Sequence, residues 1–123
     1  MTLKQYKDHS KVILIVDDDD NIRQVLQGRF VAAGYEVVLA PSGEQAMEVM
    51  KSSRIDLVIS DVKMPGMSGD NLLLEVQQRW SGLPVIILTA YGSIDHAVQA
   101  VHNGAVDYVT KPFDGKELLK KVQ

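Results

Sequence analysis

Four near-continuous apolar runs dominate this chain, and each stops on a polar residue capable of chemistry. Val12-Ile13-Leu14-Ile15-Val16 ends on Asp17-Asp18, and Leu57-Val58-Ile59-Ser60 ends on Asp61. Val85-Ile86-Ile87-Leu88 ends on Thr89, and Val106-Asp107-Tyr108-Val109-Thr110 ends on Lys111-Pro112. Strands this apolar are buried on both faces, which implies a parallel sheet covered by helices. In an open parallel sheet ligands bind beyond the carboxyl ends of the strands, so the terminal residues are expected to converge. Three carboxylates, one hydroxyl and one ammonium suit a divalent cation and a phosphoryl group held beside a carboxylate nucleophile.

Helical patterns alternate with the strands. Ile22, Val25, Leu26, Phe30 and Ala33 recur at helical spacing and stop at Gly34, with Asp20 expected as the N-cap. Tyr35 to Leu39 reads as a more polar strand, suited to a sheet edge. Ser42-Gly43-Glu44-Gln45 fits a capping box before Ala46, Val49 and Met50. The turn-rich loop 64–69 precedes a helix through Leu72, Leu73, Val76 and Trp80. Ser93 is expected to cap a helix through Ile94, Ala97, Val98 and Val101, closed by Asn103-Gly104. Asp114 to Glu117 opens a last helix with Leu118, Leu119 and Val122. The pattern is α/β, doubly wound (βα)5, and right-handed crossovers favour strand order 2-1-3-4-5, a flavodoxin-like topology. That order places Asp17 and Asp18 beside Asp61.

At 123 residues this is one domain, with residues 1–10 expected as a flexible tail and 11–123 as the folded unit. The last helix is short against a typical length of about 11 to 12 residues, which suggests a piece excised from a longer protein. A formal charge of −3 without a Lys/Arg run argues against a nucleic-acid surface. Cysteine is absent, which removes disulfides, thiolate metal sites and Cys nucleophiles. Neither a signal peptide nor an apolar stretch of about 20 residues is present, so a cytoplasmic protein is expected.

Taken singly, each polar residue has an ordinary explanation. Acids after a strand favour a helix N-terminus, Asp61 can cap a turn, Lys111 can be a solvated lysine and Thr89 a good strand former. Jointly those explanations fail, because four separate strand ends would have to assemble a complete phosphoryl site by accident. Three clustered carboxylates repel one another unless a cation neutralises them, and hard oxygen donors suit Mg2+ better than zinc. His9, His96 and His102 show no ligand spacing, Trp80 reads as packing at a helix end, and the five methionines need no cofactor.

The motifs Ile-Val-Asp-Asp (15–18), Ser-Asp-Val-Lys-Met-Pro-Gly-Met-Ser-Gly (60–69), Leu-Thr-Ala (88–90) and Asp-Tyr-Val-Thr-Lys-Pro-Phe (107–113) occur here in one order. As a set they resemble the receiver domain of bacterial response regulators, the phosphoacceptors of two-component signalling. The resemblance covers residues 11 to 123. It implies that Asp61 is the phosphorylated residue, with Asp18 a direct Mg2+ ligand, Asp17 acting through water, and the Lys63 backbone carbonyl completing the metal shell. It further implies that Thr89 and Lys111 contact the phosphoryl group and that Tyr108 is the aromatic switch residue. Lys63 and Tyr91, two residues beyond Asp61 and Thr89, are expected to tune the lifetime of the acyl phosphate. The implied partners are a sensor histidine kinase, an output domain of the ATPase-type transcription-activator kind, and a phosphorylation-dependent homodimer, with no direct nucleic-acid or membrane contact. The function expected is a phosphorylation-dependent switch rather than an enzyme with an external substrate.

Two other classes share parts of this pattern. An aspartyl-phosphate phosphatase of the haloacid-dehalogenase type places its nucleophile after the first strand in an Asp-x-Asp-x-Thr/Val motif, which Asp17 to Asn21 does not match. A flavodoxin needs a hydroxyl- and glycine-rich loop after the first strand, where four acids here would repel FMN. A Walker loop and a Gly-x-Ser-x-Gly elbow are absent.

Overall fold

A computed structural model describes residues 11–90, 92–111 and 115–122. Strands β1 (Val12–Val16), β2 (Glu36–Ala40), β3 (Leu57–Ser60), β4 (Val85–Thr89) and β5 (Asp107–Thr110) alternate with five helices. These are α1 (Asp20–Ala32), α2 (Gly43–Ser52), α3 (Gly69–Arg79), α4 (Ile94–His102) and α5 (Gly115–Val122). The strands form one parallel sheet in the order β2-β1-β3-β4-β5, as the alternation predicts. No helix among the described residues is long and apolar enough to cross a membrane. The 1–10 tail, Tyr91 and the Pro112-Phe113-Asp114 segment lie outside the described residues.

Side chains alternate across each strand, and the alternation divides the core in two. Leu14, Val16, Val58, Val85 and Ile87 face α2, α3 and α4, meeting Ala46, Met50, Leu72, Leu73, Val76 and Ala100. Ile13, Ile15, Ile59, Ile86 and Leu88 face the opposite way, onto Leu26, Phe30 and Leu118 of α1 and α5. Each fully buried Leu, Ile or Phe contributes about 1.5–3 kcal/mol of transfer free energy, so losing either layer would unfold the domain. The polar second strand is at an edge, half-exposed along most of its length.

One expectation needs correction. Asp19, not Asp20, caps α1: its carboxylate accepts from the backbone N–H groups of Asn21 and Ile22. The Asp17 carboxylate accepts from Asp19 N at 2.9 Å, and this turn lets the helix begin at Asp20, which pairs with Arg23. Val25, one of the apolar residues recurring at helical spacing, is 54% exposed, while Leu26 and Phe30 carry the contact with the sheet. The apolar stripe of α4 faces outward, with Ile94 84%, Val98 65% and Val101 55% exposed, and Ala100 is buried instead. Ala100, one of two alanines in that helix, packs into the core layer shared with α2 and α3, where its small side chain allows close approach.

Ser42, Ser68 and Ser93 cap α2, α3 and α4 through bonds to Gln45 N, Asn71 N and His96 N. Glu44 reaches across to the 66–69 loop, where its carboxylate accepts from Met67 N at 3.2 Å. Gly66 turns that loop with φ 78°, and an added Cβ there would strike Glu44.

Candidate functional site

Strand register brings the polar residues together. Val16 pairs with Ser60, so the next residues, Asp17 and Asp61, leave β1 and β3 side by side, with Asp61 N donating to Val16 O at 2.9 Å. Thr89 pairs with Thr110, and Lys111 follows with its backbone N–H donating to Thr89 O at 2.8 Å. The sequence predicts this convergence from topology alone; register decides which side chains touch.

Asp17 and Asp61 are almost wholly buried, at 2% and 6% exposure, whereas Asp18 is exposed. One carboxylate oxygen from each of the three lies within 4.8 Å of the others. Lys111 Nζ donates to Asp17 Oδ2 at 2.8 Å and to Asp61 Oδ2 at 3.3 Å, bridging strands β1 and β3 from beyond β5. Asp61 Oδ1 is held by the backbone N–H of Val62 at 2.7 Å. Arg23 closes the rim by donating to the Asp17 carbonyl. The cluster opens onto a cavity of about 310 Å3 lined by Asp17, Asp18, Asp61, Lys63, Ala90 and Lys111, among others.

Burial pushes the Asp17 carboxyl above its ordinary value, and the Asp61 charge adds to the push; the bonds from Lys111 and from Asp19 N oppose it. Burial also works against the Lys111 charge, but the hydrogen bond and charge of Asp17, joined by Asp61, outweigh it and hold the ammonium above its ordinary value. Lys111 therefore stays charged as the counter-ion of a carboxylate pair. Lys111→Met leaves two buried acids without it, and the expected loss of stability is about 1–3 kcal/mol, less than for a fully enclosed pair because the cavity admits water. Thermal melts check this; an unchanged melting temperature would show that the ion pairs contribute nothing net.

The structure places Asp17, Asp18, Asp61, Lys63 and Lys111 on one cavity. Thr89 is wholly buried, one residue before the cavity-lining Ala90. Tyr108 belongs to β5 but its hydroxyl reaches the first turn of α4, 2.6 Å from His96 Nδ1. His96 Nε2 in turn lies 3.0 Å from both carboxylate oxygens of Asp70, in the first turn of α3. Sequence reasoning set His96 aside for want of ligand spacing. Its partners stand 26 residues before it and 12 after it, so no local pattern could have marked them.

Comparison with known proteins agrees with this geometry. Residues 13–123 match the response regulator receiver domain family. The chain is 44% identical over 110 residues to the response regulator protein FleR of Pseudomonas aeruginosa, covering 89% of this chain and 23% of that one. It is 41% identical over 112 residues to the DNA-binding transcriptional regulator NtrC of Escherichia coli, covering 91% of this chain and 24% of that one. Among solved structures, the chemotaxis protein CheY4 of Vibrio cholerae superposes with a TM-score of 0.87 at 34% identity, over 93% of this chain and 97% of that one. An α/β sheet carrying acids and a lysine at its carboxyl edge thus defines a class of signalling module. The chain belongs to the response regulator receiver domain family and is a phosphorylation-dependent signalling domain. It spans about a quarter of the length of the curated relatives it matches.

Proposed function

We propose that this domain accepts a phosphoryl group on Asp61 from a phosphohistidine of a sensor kinase and passes the change of state to an output domain that regulates transcription. The observation that carries this reading is the Asp17–Asp18–Asp61 cluster with Lys111 bonded to two of its members. Asp61 Oδ2 is the available nucleophile, since Oδ1 is tied to the Val62 backbone. Its attack forms an O–P bond as the N–P bond of the donor breaks, and the imidazole leaves with a proton. Lys111, already against Oδ2, neutralises charge that accumulates on the transferring group.

The donor set fits Mg2+: hard carboxylate oxygens close together at a cavity that also admits water and phosphate. Asp17, Asp18 and Asp61 would hold it, with the backbone carbonyl of Lys63. When bound it supplies positive charge to the carboxylates and to the phosphoryl oxygens. Asp18→Ala should abolish the Mg2+-dependent rise in melting temperature, which for an intact site is worth about 1.4 kcal/mol at tenfold excess over Kd. An undiminished rise in the variant would move the metal elsewhere.

Thr89 is one residue from the cavity-lining Ala90, and its hydroxyl would meet a phosphoryl oxygen once Asp61 is modified. Tyr108 is the switch residue that carries the change outward. Lys63, on the cavity, and Tyr91, outside the described residues, are the positions to which we assign tuning of the acyl-phosphate lifetime; replacing both by alanine should change the half-life of the label, and an unchanged half-life removes that role. The domain works in the cytoplasm as a stoichiometric switch, not as an enzyme with an external substrate, and phosphorylation favours pairing of two copies. The test is incubation with a small acyl phosphate and Mg2+, followed by mass spectrometry. One added phosphoryl group on the peptide containing Asp61 is expected. Sustained release of phosphate without label would instead indicate a phosphatase.

A further inference from the structure

Tyr108 does not hang free at the end of β5. Its hydroxyl oxygen lies 2.6 Å from His96 Nδ1, in the first turn of α4. The two rings meet edge to face, with centroids 5.4 Å apart. An ionised Asp70 can only accept, so the imidazole proton facing it is on Nε2, aimed at both oxygens. In the neutral imidazole with its proton on Nε2, Nδ1 carries the lone pair, and the tyrosine O–H donates to it. Burial, reinforced by the Asp70 charge, pushes the phenol above its ordinary value, and this keeps it a donor. The chain Tyr108–His96–Asp70 joins β5, α4 and α3.

Its far end is anchored at the phosphoacceptor. Asp70 follows Gly69, whose N–H donates to Val62 O at 2.8 Å and whose missing side chain lets it press on the Asp61 carbonyl. At the near end Gly92 leaves room for the tyrosine hydroxyl: a Cβ there would stand 2.6 Å from Thr110 Cγ2 and 3.2 Å from the hydroxyl.

Resting on the reading of Tyr108 as the switch residue, we propose that Asp70 and His96 are positioning residues that latch Tyr108 in the unphosphorylated state and couple it to Asp61 through the 61–70 loop, independently of Thr89. A latch opposes the change that phosphorylation drives, so its removal eases activation. A double-mutant cycle isolates the coupling, because a path is shown only by non-additivity.

The experiment titrates the full chain with beryllofluoride in Mg2+, as a phosphoryl mimic, and follows amide NMR shifts of residues 92–111. The variants are His96→Ala, Asp70→Asn, Tyr108→Phe and the double variant His96→Ala/Tyr108→Phe. His96→Ala and Asp70→Asn should each tighten apparent binding about threefold to tenfold, as expected for one lost hydrogen bond. In the Tyr108→Phe background His96→Ala should change nothing further, an outcome that a merely structural role for His96 would not produce. Equal effects of His96→Ala with and without the tyrosine hydroxyl, or weaker binding in the single variants, overturn the latch. A Tyr108→Phe chain that responds to beryllofluoride like wild type overturns the switch reading itself. Asp70→Asn preserves the shape of the side chain and keeps the test valid should His96→Ala fold poorly.

Discussion

Asp61→Asn is expected to take up no phosphoryl group from an acyl phosphate while keeping its fold. The substitution is isosteric, and the amide oxygen can still accept from Val62 N, the contact that orients the side chain. It removes the proposed nucleophile and one of the two carboxylates that share Lys111. Loss of that negative charge also relieves Asp17, so the melting temperature should stay within a few degrees of wild type or rise. Mass spectrometry after reaction decides the matter. Labelling of the variant equal to wild type would place the nucleophile at Asp17 or Asp18.

Gly69→Ala should be among the most damaging single-methyl changes in the domain. Its Cβ would fall 1.9 Å from the Asp61 carbonyl oxygen and 2.9 Å from Val62 Cα. Both are backbone atoms, so no side chain can swing away, and either α3 or the 61–69 loop must move. Overpacking against side chains costs about 1–3 kcal/mol, and a backbone clash belongs at or above the top of that range. A drop in melting temperature of more than about 8 °C follows, together with slower phosphorylation because Asp61 is displaced. Gly28→Ala is the matched control. It lies within α1, its Cβ would meet nothing within 4 Å, and alanine there should stabilise by about 0.5–1 kcal/mol. A Gly69→Ala chain as stable as the Gly28→Ala chain would show that the loop yields freely.

How much of this was legible beforehand depended on the range of the interaction. Strand runs, their parallel order and the convergence of Asp17, Asp18, Asp61 and Lys111 follow from burial on both faces and from right-handed crossovers, which act on every chain of this pattern. Helix caps at Ser42 and Ser93 rest on short-range bonds that the local sequence contains, whereas the Ser68 cap emerged only with the structure. Periodicity marked α4 through Ile94, Ala97, Val98 and Val101 but not its inward face: the structure exposes Ile94, Val98 and Val101 and buries Ala100. A hydrophobic stripe shows that a helix has an apolar face; the space left by the neighbouring elements decides whether that face turns inward.

The sequence by itself determined the architecture and the chemistry of the acid–lysine site, because topology sends strand ends to one edge whatever the details of packing. Only the tertiary structure decided that Lys111 bridges two carboxylates, that Gly69 seats α3 on the Asp61 carbonyl, and that Asp70, His96 and Tyr108 meet. Those contacts join residues distant in the chain across a few ångströms. Register and helix docking set such distances, and no local pattern of residue types encodes them.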